Sequence, residues 1–426
     1  MKSFSKTAIA VLGILAMQQA AADSASLSAV SVSGASRSTR TEDSDRLISS
    51  AMSTTTGLAL SQKETPQSVS VVTNKVIRDR GLRTVSDAVA NSTGMNVVRD
   101  SGRDRYQSRG FYVDQIQEDG ISSTVAGSSG NPYNDAQSTT DLAVYDHIEI
   151  VRGPTGLTQA NGEPGGTVNM VRKKPFDGFK FSSHLEGGMW DHYRAVEDIG
   201  GTLYSGDTVT WRGRAVVAGD SSGSFREDVD SKNLTVYAVS DLSIGDDTVI
   251  TAGYIQQNLH EVPDFFGLPM GADGGDAGLH TDTYLGASWN KNRFRKRNAF
   301  LEAEHYFNDD WKLNAKINGV RYNSVMEFAG LANSSTKFAG VSHESPDLSV
   351  NNMQRYDNYD SQLGIDLRLN GKYYLLSRAH DLFIGYSFSR EHLTSLNRRV
   401  RNSDPYDVYT FAHNIAKPDF EGGDVY

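Results

Sequence analysis

The chain has 426 residues, 38% hydrophobic and 22% charged, a net charge of −10 and no cysteine. The acidic balance argues against a nucleic-acid partner. The missing cysteines exclude a disulfide framework and thiolate metal sites, and the length suggests two or three domains. Forty glycines, 19 tyrosines and 17 phenylalanines against ten prolines favour turns and strands over helices.

At the N-terminus, Lys2 and Lys6 precede an apolar run from Ala8 to Met17 and then Ala20, Ala21 and Ala22. This three-part pattern predicts a signal peptide over residues 1–22. The run is too short for a membrane anchor, and no other apolar run approaches the ~18 residues of a spanning helix. A membrane-spanning chain is therefore expected only as a β-barrel. Residues 23–58 are rich in Ser, Thr and Ala and read as a flexible segment, apart from the alternating "LSAVSVSG" at Leu27–Gly34.

Residues 59–175 read as a mixed α/β domain. Pro66–Thr73 alternates as a strand and "NKVIRDRG" ends in Gly81. "TVSDAVANSTG" predicts a helix that Thr84 or Ser86 caps, with Val85, Val89 and Ala90 on one face and Gly94 as the stop. "MNVVRD" and "YQSRGFYV" read as strands, "QIQEDGIS" as a turn and Ser122–Thr140 as a loop. Two alternating runs, His147–Val151 and Thr167–Val171, then bracket fifteen residues with five glycines and two prolines. That arc lacks the Gly-Lys-Ser/Thr and following helix of a P-loop, and it contains no G-x-G-x-x-G. Taken locally, it is a long glycine turn in a β-rich domain, framed by Arg152 and by Arg172, Lys173 and Lys174.

After Pro175 long alternating runs take over, among them "TVTWRGRAVVAG", "RNAFLEAEHYF" and "HDLFIGYSFSREHL". Short turns at Ser205-Gly206-Asp207, Gly245-Asp246-Asp247, Asn308-Asp309-Asp310 and near Ser377-Arg378-Ala379 alternate with long polar loops at about 221–233, 259–293, 325–355 and from 396 onward. Unequal connections of this kind predict a transmembrane antiparallel β-barrel; a soluble β-sandwich or propeller is the alternative. No H-x-H or H-E-x-x-H occurs, so no protein-bound metal is expected, and the chain is not expected to be an enzyme.

Residues 60–175 resemble the plug domain of TonB-dependent outer-membrane receptors. The resemblance is carried in order by "KETPQSVSVVT", "TVSDAVANSTGMNV", "SRGF" with "EDGI", and above all "YDHIEIVRGPTGLTQANGEPGGTVNMVRKKP". The arrangement most resembles receptors for ferric siderophores of the hydroxamate or mixed pyoverdine type, the coprogen receptors among them. It implies an N-terminal α/β plug in the lumen of a barrel of about 22 strands. About nine to eleven strands follow Pro175, so residues 176–426 are expected to be the N-terminal part of the barrel, and "FAHNIAKPDFEGGDVY" a loop and not a closing strand.

The same resemblance implies function and site. It implies TonB-dependent high-affinity binding and active import of a ferric siderophore across the bacterial outer membrane, with haem, cobalamin or a glycan as alternative cargo. No cofactor is implied, because iron arrives as a chelate. Ala29, Val30, Ser31, Val32 and Ser33 are the expected TonB box, for capture by TonB with ExbB and ExbD through β-augmentation. Residues 23–58 are too few for a transcription-signalling domain before the plug. Arg109 and Arg152 resemble plug arginines that pair with barrel carboxylates; a solvated Arg152 at a strand end is the alternative. The implied ligand-binding residues are Arg99, Arg103, Tyr112, Gln115 and Tyr133 in the plug, with Phe265, Phe266, Tyr322 and Phe328 in the barrel loops, where an ordinary loop or girdle aromatic is the other reading. Outer-membrane lipid and lipopolysaccharide are the expected surroundings of a monomer.

Overall fold

The computed structural model describes residues 39–42, 44–52, 54, 59–100, 103–113, 115–124, 140–154, 164–263, 267–332, 340–350, 353–376, 378–422 and 424–425. The expected signal peptide and TonB box lie outside the described residues, as do Tyr133, Phe265 and Phe266.

The first layer is a small α/β unit. It contains β1 (Ser68–Val72), α1 (Asn74–Asp79), α2 (Val85–Ala90), β2 (Met95–Asp100), β3 (Arg103–Ser108), β4 (Phe111–Tyr112), β5 (Gln115–Glu118), β6 (Ile121–Thr124), β7 (Tyr145–Arg152) and β8 (Gly166–Arg172). Thr73 caps α1 by accepting from the Val76 N–H, and Thr84 and Asp87 form a capping box on α2. A five-stranded sheet runs β1-β7-β8-β5-β6, and β2-β3-β4 form a second. Both helices pack Ile77, Val85, Ala88 and Val89 into one core with Ile148, Ile150, Val168 and Met170.

Two segments differ from expectation. "YQSRGFYV" is broken by a turn with Arg109 at φ 53° and Gly110 at φ 85°. "QIQEDGIS" is a complete hairpin, β5–β6, whose Asp119 and Gly120 both have positive φ, the geometry a two-residue turn needs to match strand twist. The glycine arc closes on close backbone approach. A Cβ on Gly165 would lie 2.2 Å from the Tyr112 carbonyl oxygen, and one on Gly166 2.0 Å from that of Val151.

The second layer is a wall of long strands. These are β9 (Lys180–Gly188), β10 (His192–Ser205), β11 (Val209–Ser222), β12 (Ser231–Ile244), β13 (Thr248–Glu261), β14 (Lys291–Tyr306) and β15 (Trp311–Phe328). After the short β16 (Leu331–Ala332) and β17 (Asp347–Val350) come β18 (Met353–Leu375), β19 (Arg378–Val400), β20 (Pro405–Asp407) and β21 (Asp424–Val425). Ten of them form one antiparallel sheet, β21-β19-β18-β15-β14-β13-β12-β11-β10-β9. Its side chains alternate strictly. On β14, Asn292, Phe294, Lys296, Asn298, Phe300 and Glu302 are buried toward the plug, while Arg293, Arg295, Arg297, Ala299 and Leu301 are exposed. Tyr254, Leu301, Ile317, Leu363 and Ile384 on neighbouring strands extend an exposed apolar band, and the inner face is polar, as a membrane barrel requires. No helix among the described residues is long and apolar enough to cross a membrane.

The long connections gather at one end of the wall. They share a core of Leu285, Leu331, Val341, Leu348, Val408 and Phe420, to which the small sheet β16-β17-β20 contributes. The expected loops at 325–355 and beyond 396 are thus partly stranded.

Candidate functional site at the plug–wall interface

Strand alternation places every second side chain of the wall in the lumen, and those positions carry Arg, Lys, Asp, Glu and Asn. Charges buried there need partners. The plug supplies them at three heights.

Nearest the long loops, Arg194 of β10 donates two hydrogen bonds to Asp141, at 2.9 and 2.7 Å, and Asn233 of β12 adds one at 3.0 Å. At mid-height the β5–β6 turn meets the wall. Glu118 is fully buried and contacts Arg172 of β8, Lys296 of β14 and the Tyr145 hydroxyl. Burial alone would raise its pKa, but Lys296 and Arg172 overcome this and hold the carboxyl at about 2. Burial likewise opposes the Arg172 charge, yet Glu118 and Asp119 raise its pKa. Arg172 also bridges to Asn298 and Asn318 of the wall, at 3.0 and 2.9 Å. Two further cations close on the turn backbone: Lys316 Nζ donates to the Asp119 carbonyl at 2.9 Å and Arg368 to that of Gly120 at 3.4 Å. The wall gives way to the hairpin at Gly364, where a Cβ would sit 2.3 Å from Ile121 Cγ2.

The third height is toward the short turns. Lys174 lies 3.4 Å from Glu302 and 3.7 Å from Glu304, and Glu302 raises the lysine pKa against the cost of burial. Lys173 contacts Asp198 at 3.0 Å, while its carbonyl accepts from the Tyr237 hydroxyl at 2.6 Å.

Here a strap from Thr41 to Thr54 also docks. Part of the segment expected to be flexible is therefore held. The Thr41 and Glu42 N–H groups donate to the Asp146 carboxylate at 2.9 and 2.7 Å, and Thr54 donates to Glu149. Met52 packs on Val71 and Val151. The Glu42 carboxylate crosses to the wall and accepts two hydrogen bonds from Arg214, at 2.8 and 2.7 Å. Between the two strap anchors sits buried His147, bonded to Asp146 through Nδ1 and to Glu149 through Nε2. Burial disfavours its charge, but the two carboxylates hold its pKa up at about 9.

Of the residues singled out from sequence, Arg109 and Arg152 come together. A Cβ on Gly153 would lie 3.1 Å from Arg109 Nη1. Burial and the neighbouring Arg109 lower the Arg152 pKa. Arg152 donates to Ser68 Oγ, Ser70 Oγ and the Val69 carbonyl, and neither arginine meets a carboxylate among the described residues. Tyr112 is half-buried under the Arg105 guanidinium, 3.8 Å from the ring centre. In backbone register Arg99 and Arg103 stand opposite Asp104 and Asp100 across the β2–β3 hairpin, and Gln115 stands opposite Thr124 and Thr167. Tyr322 is buried on the lumen face, opposite Lys296 and 5.8 Å from its Nζ. Phe328 is buried in the wall, stacked on Tyr356 at 6.0 Å. Sequence reasoning missed Glu42, Glu118, Asp141, His147, Arg194 and Lys296. The available signal was an ionisable residue at an inward position of an alternating strand, and for Glu118 the acid preceding an Asp-Gly turn.

A plug sheet bound by ionic contacts to the polar face of a lipid-type β-wall defines a plugged outer-membrane receptor. Residues 61–167 match the family described as TonB-dependent Receptor Plug Domain, and the chain resembles TonB-dependent receptors of the bacterial outer membrane in sequence and fold. Among these it is similar to the ferric-pyoverdine M114 receptor PbuA of Pseudomonas sp., 33% identical over 84% of this chain and 42% of that receptor. It is also similar to the ferripyoverdine receptor of Pseudomonas aeruginosa, 30% identical over 95% of this chain and 49% of the relative. The crystal structure of the P. aeruginosa outer-membrane ferripyoverdine receptor bound to ferripyoverdine superposes with a TM-score of 0.81 at 28% identity, covering 91% of this chain and 51% of that one. The chain spans about half the length of the curated relatives it matches.

Proposed function

We propose that this protein binds a ferric siderophore of the pyoverdine class on the long-loop side of the plug and takes part in its import. Energised TonB, with ExbB and ExbD, would pull Ala29–Ser33. The observation that carries this reading is the plug, tied to the lumen face at three heights and to an N-terminal strap. A passive pore has no use for a removable stopper. The names of the similar receptors support the cargo class. On this reading the protein is a transporter and not an enzyme, it holds no cofactor, and the iron enters already chelated. Arg99, Arg103, Tyr112, Gln115, Tyr133, Phe265, Phe266, Tyr322 and Phe328 are the proposed ligand contacts, and Arg109 with Arg152 a plug–barrel lock.

The test is radio-iron uptake by iron-limited cells expressing the receptor, offered ferripyoverdines and other siderophores. Deleting Ser28–Gly34 should leave surface binding intact and abolish uptake; normal uptake by the deletion variant would overturn the assignment. Phe265→Ala with Phe266→Ala should weaken binding by about 1–3 kcal/mol in fluorescence titrations. Unchanged affinity would remove that loop from the site.

A further inference from the structure

The long connection between β13 and β14, residues 262–290, is closed on itself by a buried polar relay. The relay starts at Asn290, 3% exposed. Its Oδ1 accepts from the Ala329 N–H and its Nδ2 donates to the Ala329 carbonyl, both at 2.8 Å. Two bonds of opposite sense to one residue's backbone fix which end of the amide is the oxygen. Nδ2 also donates to the Tyr284 hydroxyl, at 2.8 Å. The hydroxyl oxygen is therefore an acceptor here, and its proton goes to the Pro263 carbonyl, 21 residues earlier, at 3.2 Å.

The ring that carries this hydroxyl is tightly seated and 1% exposed. A Cβ on Gly286 would lie 2.2 Å from both Tyr284 Cζ and its hydroxyl oxygen. The His413 ring tilts against it at 5.5 Å and donates from Nδ1 to the Gly286 carbonyl at 3.1 Å. A phenylalanine would fill the same space. The hydroxyl thus adds nothing to packing. Buried with both a donor and an acceptor supplied, it fixes a position.

The position it fixes is the root of the proposed binding loop. Pro263 immediately precedes Asp264, Phe265 and Phe266 in the chain. After them Gly267 turns the backbone at φ 61°, and Leu268 packs on the loop core. Val262, on the other side of Pro263, donates to the Asp230 carbonyl at 2.8 Å. The three residues are therefore bracketed by two anchored points, and one anchor is the Tyr284 hydroxyl. A loop held in its binding shape loses less conformational freedom when a ligand arrives, which appears as affinity.

We infer that Tyr284 is a positioning residue for siderophore binding: its hydroxyl, oriented by Asn290, holds Pro263 and presets the Phe265–Phe266 segment for the chelate. The inference rests on the siderophore reading for what that segment binds.

The test uses the full receptor with Tyr284→Phe, which keeps the ring and removes the last bond of the relay. Titrated with ferripyoverdine, the variant should bind roughly five- to ten-fold more weakly, the worth of one buried hydrogen bond. In a receptor already carrying Phe265→Ala and Phe266→Ala, the same change should cost nothing further, because Tyr284 acts through those rings. Amide exchange is a second measurement that needs no cargo. The Val262 N–H should exchange roughly five- to ten-fold faster in Tyr284→Phe. Val341, bonded to Met270 farther along the connection at 2.9 Å, should not change. An additive loss in the triple variant, unchanged exchange at Val262, or an equal rise at Val341 would each overturn the inference. The cargo reading fails separately, if ferripyoverdine does not bind the unaltered receptor or if Phe265→Ala with Phe266→Ala leaves affinity intact. Exchange at Val262 against Val341 then still decides whether Tyr284 holds the loop root.

Discussion

Replacing Glu118 by Gln tests whether the mid-height ionic cluster holds the plug to the wall. The amide keeps the shape and removes the charge. Arg172 would retain Asp119 at 2.6 Å and the two wall asparagines. Lys296, 5% exposed, would keep neutral acceptors, the new amide oxygen and the Tyr145 hydroxyl at 3.4 Å, and the distant Tyr322 ring, but no counter-ion. A buried ammonium stripped of its counter-ion costs about 3–5 kcal/mol. The loss should appear as local opening of β5 and β8 and not as collapse of the wall, whose strands pair with one another. In the folded receptor, amide exchange at Gln117 and Met170 should therefore accelerate by roughly two to three orders of magnitude. Adding Lys296→Met removes the orphaned charge and should recover most of that protection. Unchanged exchange in Glu118→Gln, or no recovery in the double variant, would refute the claim that paired burial of these charges secures the plug. The same cluster predicts acid sensitivity. The Glu118 carboxyl is held at about 2, so its contribution is present above its ordinary value of 4.5 and lost as pH falls toward 2.

Glu42→Ala should free the strap from the wall, since two charge-assisted bonds to Arg214 are lost. Limited proteolysis should then cut between residues 39 and 54 faster than in the unaltered receptor, and an unchanged cutting rate would argue against a latch. The His147 pKa is raised from 6.5 to about 9 by Asp146 and Glu149, so its contribution to plug stability around β7 should be full below 6.5 and be lost as pH rises toward 9. The loss is on the order of 3 kcal/mol at 1.36 kcal/mol per unit, and His147→Gln should flatten the profile of β7 amide protection against pH. Glu327, 3% exposed, joins Lys291, Lys417 and Arg355 at 2.7, 2.5 and 3.2 Å. Glu327→Gln should raise protease sensitivity in the long loops by at least several-fold, consistent with a cost of about 1–3 kcal/mol, without changing heat-modifiable migration of the receptor on gels.

Much of the local structure was legible in the sequence because it depends on neighbours along the chain. Thr84 and Asp87 cap α2 from three residues apart, Asp119-Gly120 turns β5 into β6, and alternation marks the wall strands. Those patterns determine backbone conformation and which residues share a face. They do not determine which face points inward. In the run from Lys291 to Arg297, five cations alternate with neutral residues except at Lys296, and only the wall's register sends Lys296 to the plug and Arg295 and Arg297 outward. The partners themselves come from far along the chain. Lys296 meets Glu118 across 178 residues, Arg214 meets Glu42 across 172, and the Thr41 N–H reaches Asp146 across 105. A charge in an isolated strand is solvated and carries no mark of its future partner. Tertiary folding removes the water, and the electrostatic cost of leaving such groups unpaired then decides which of them must meet.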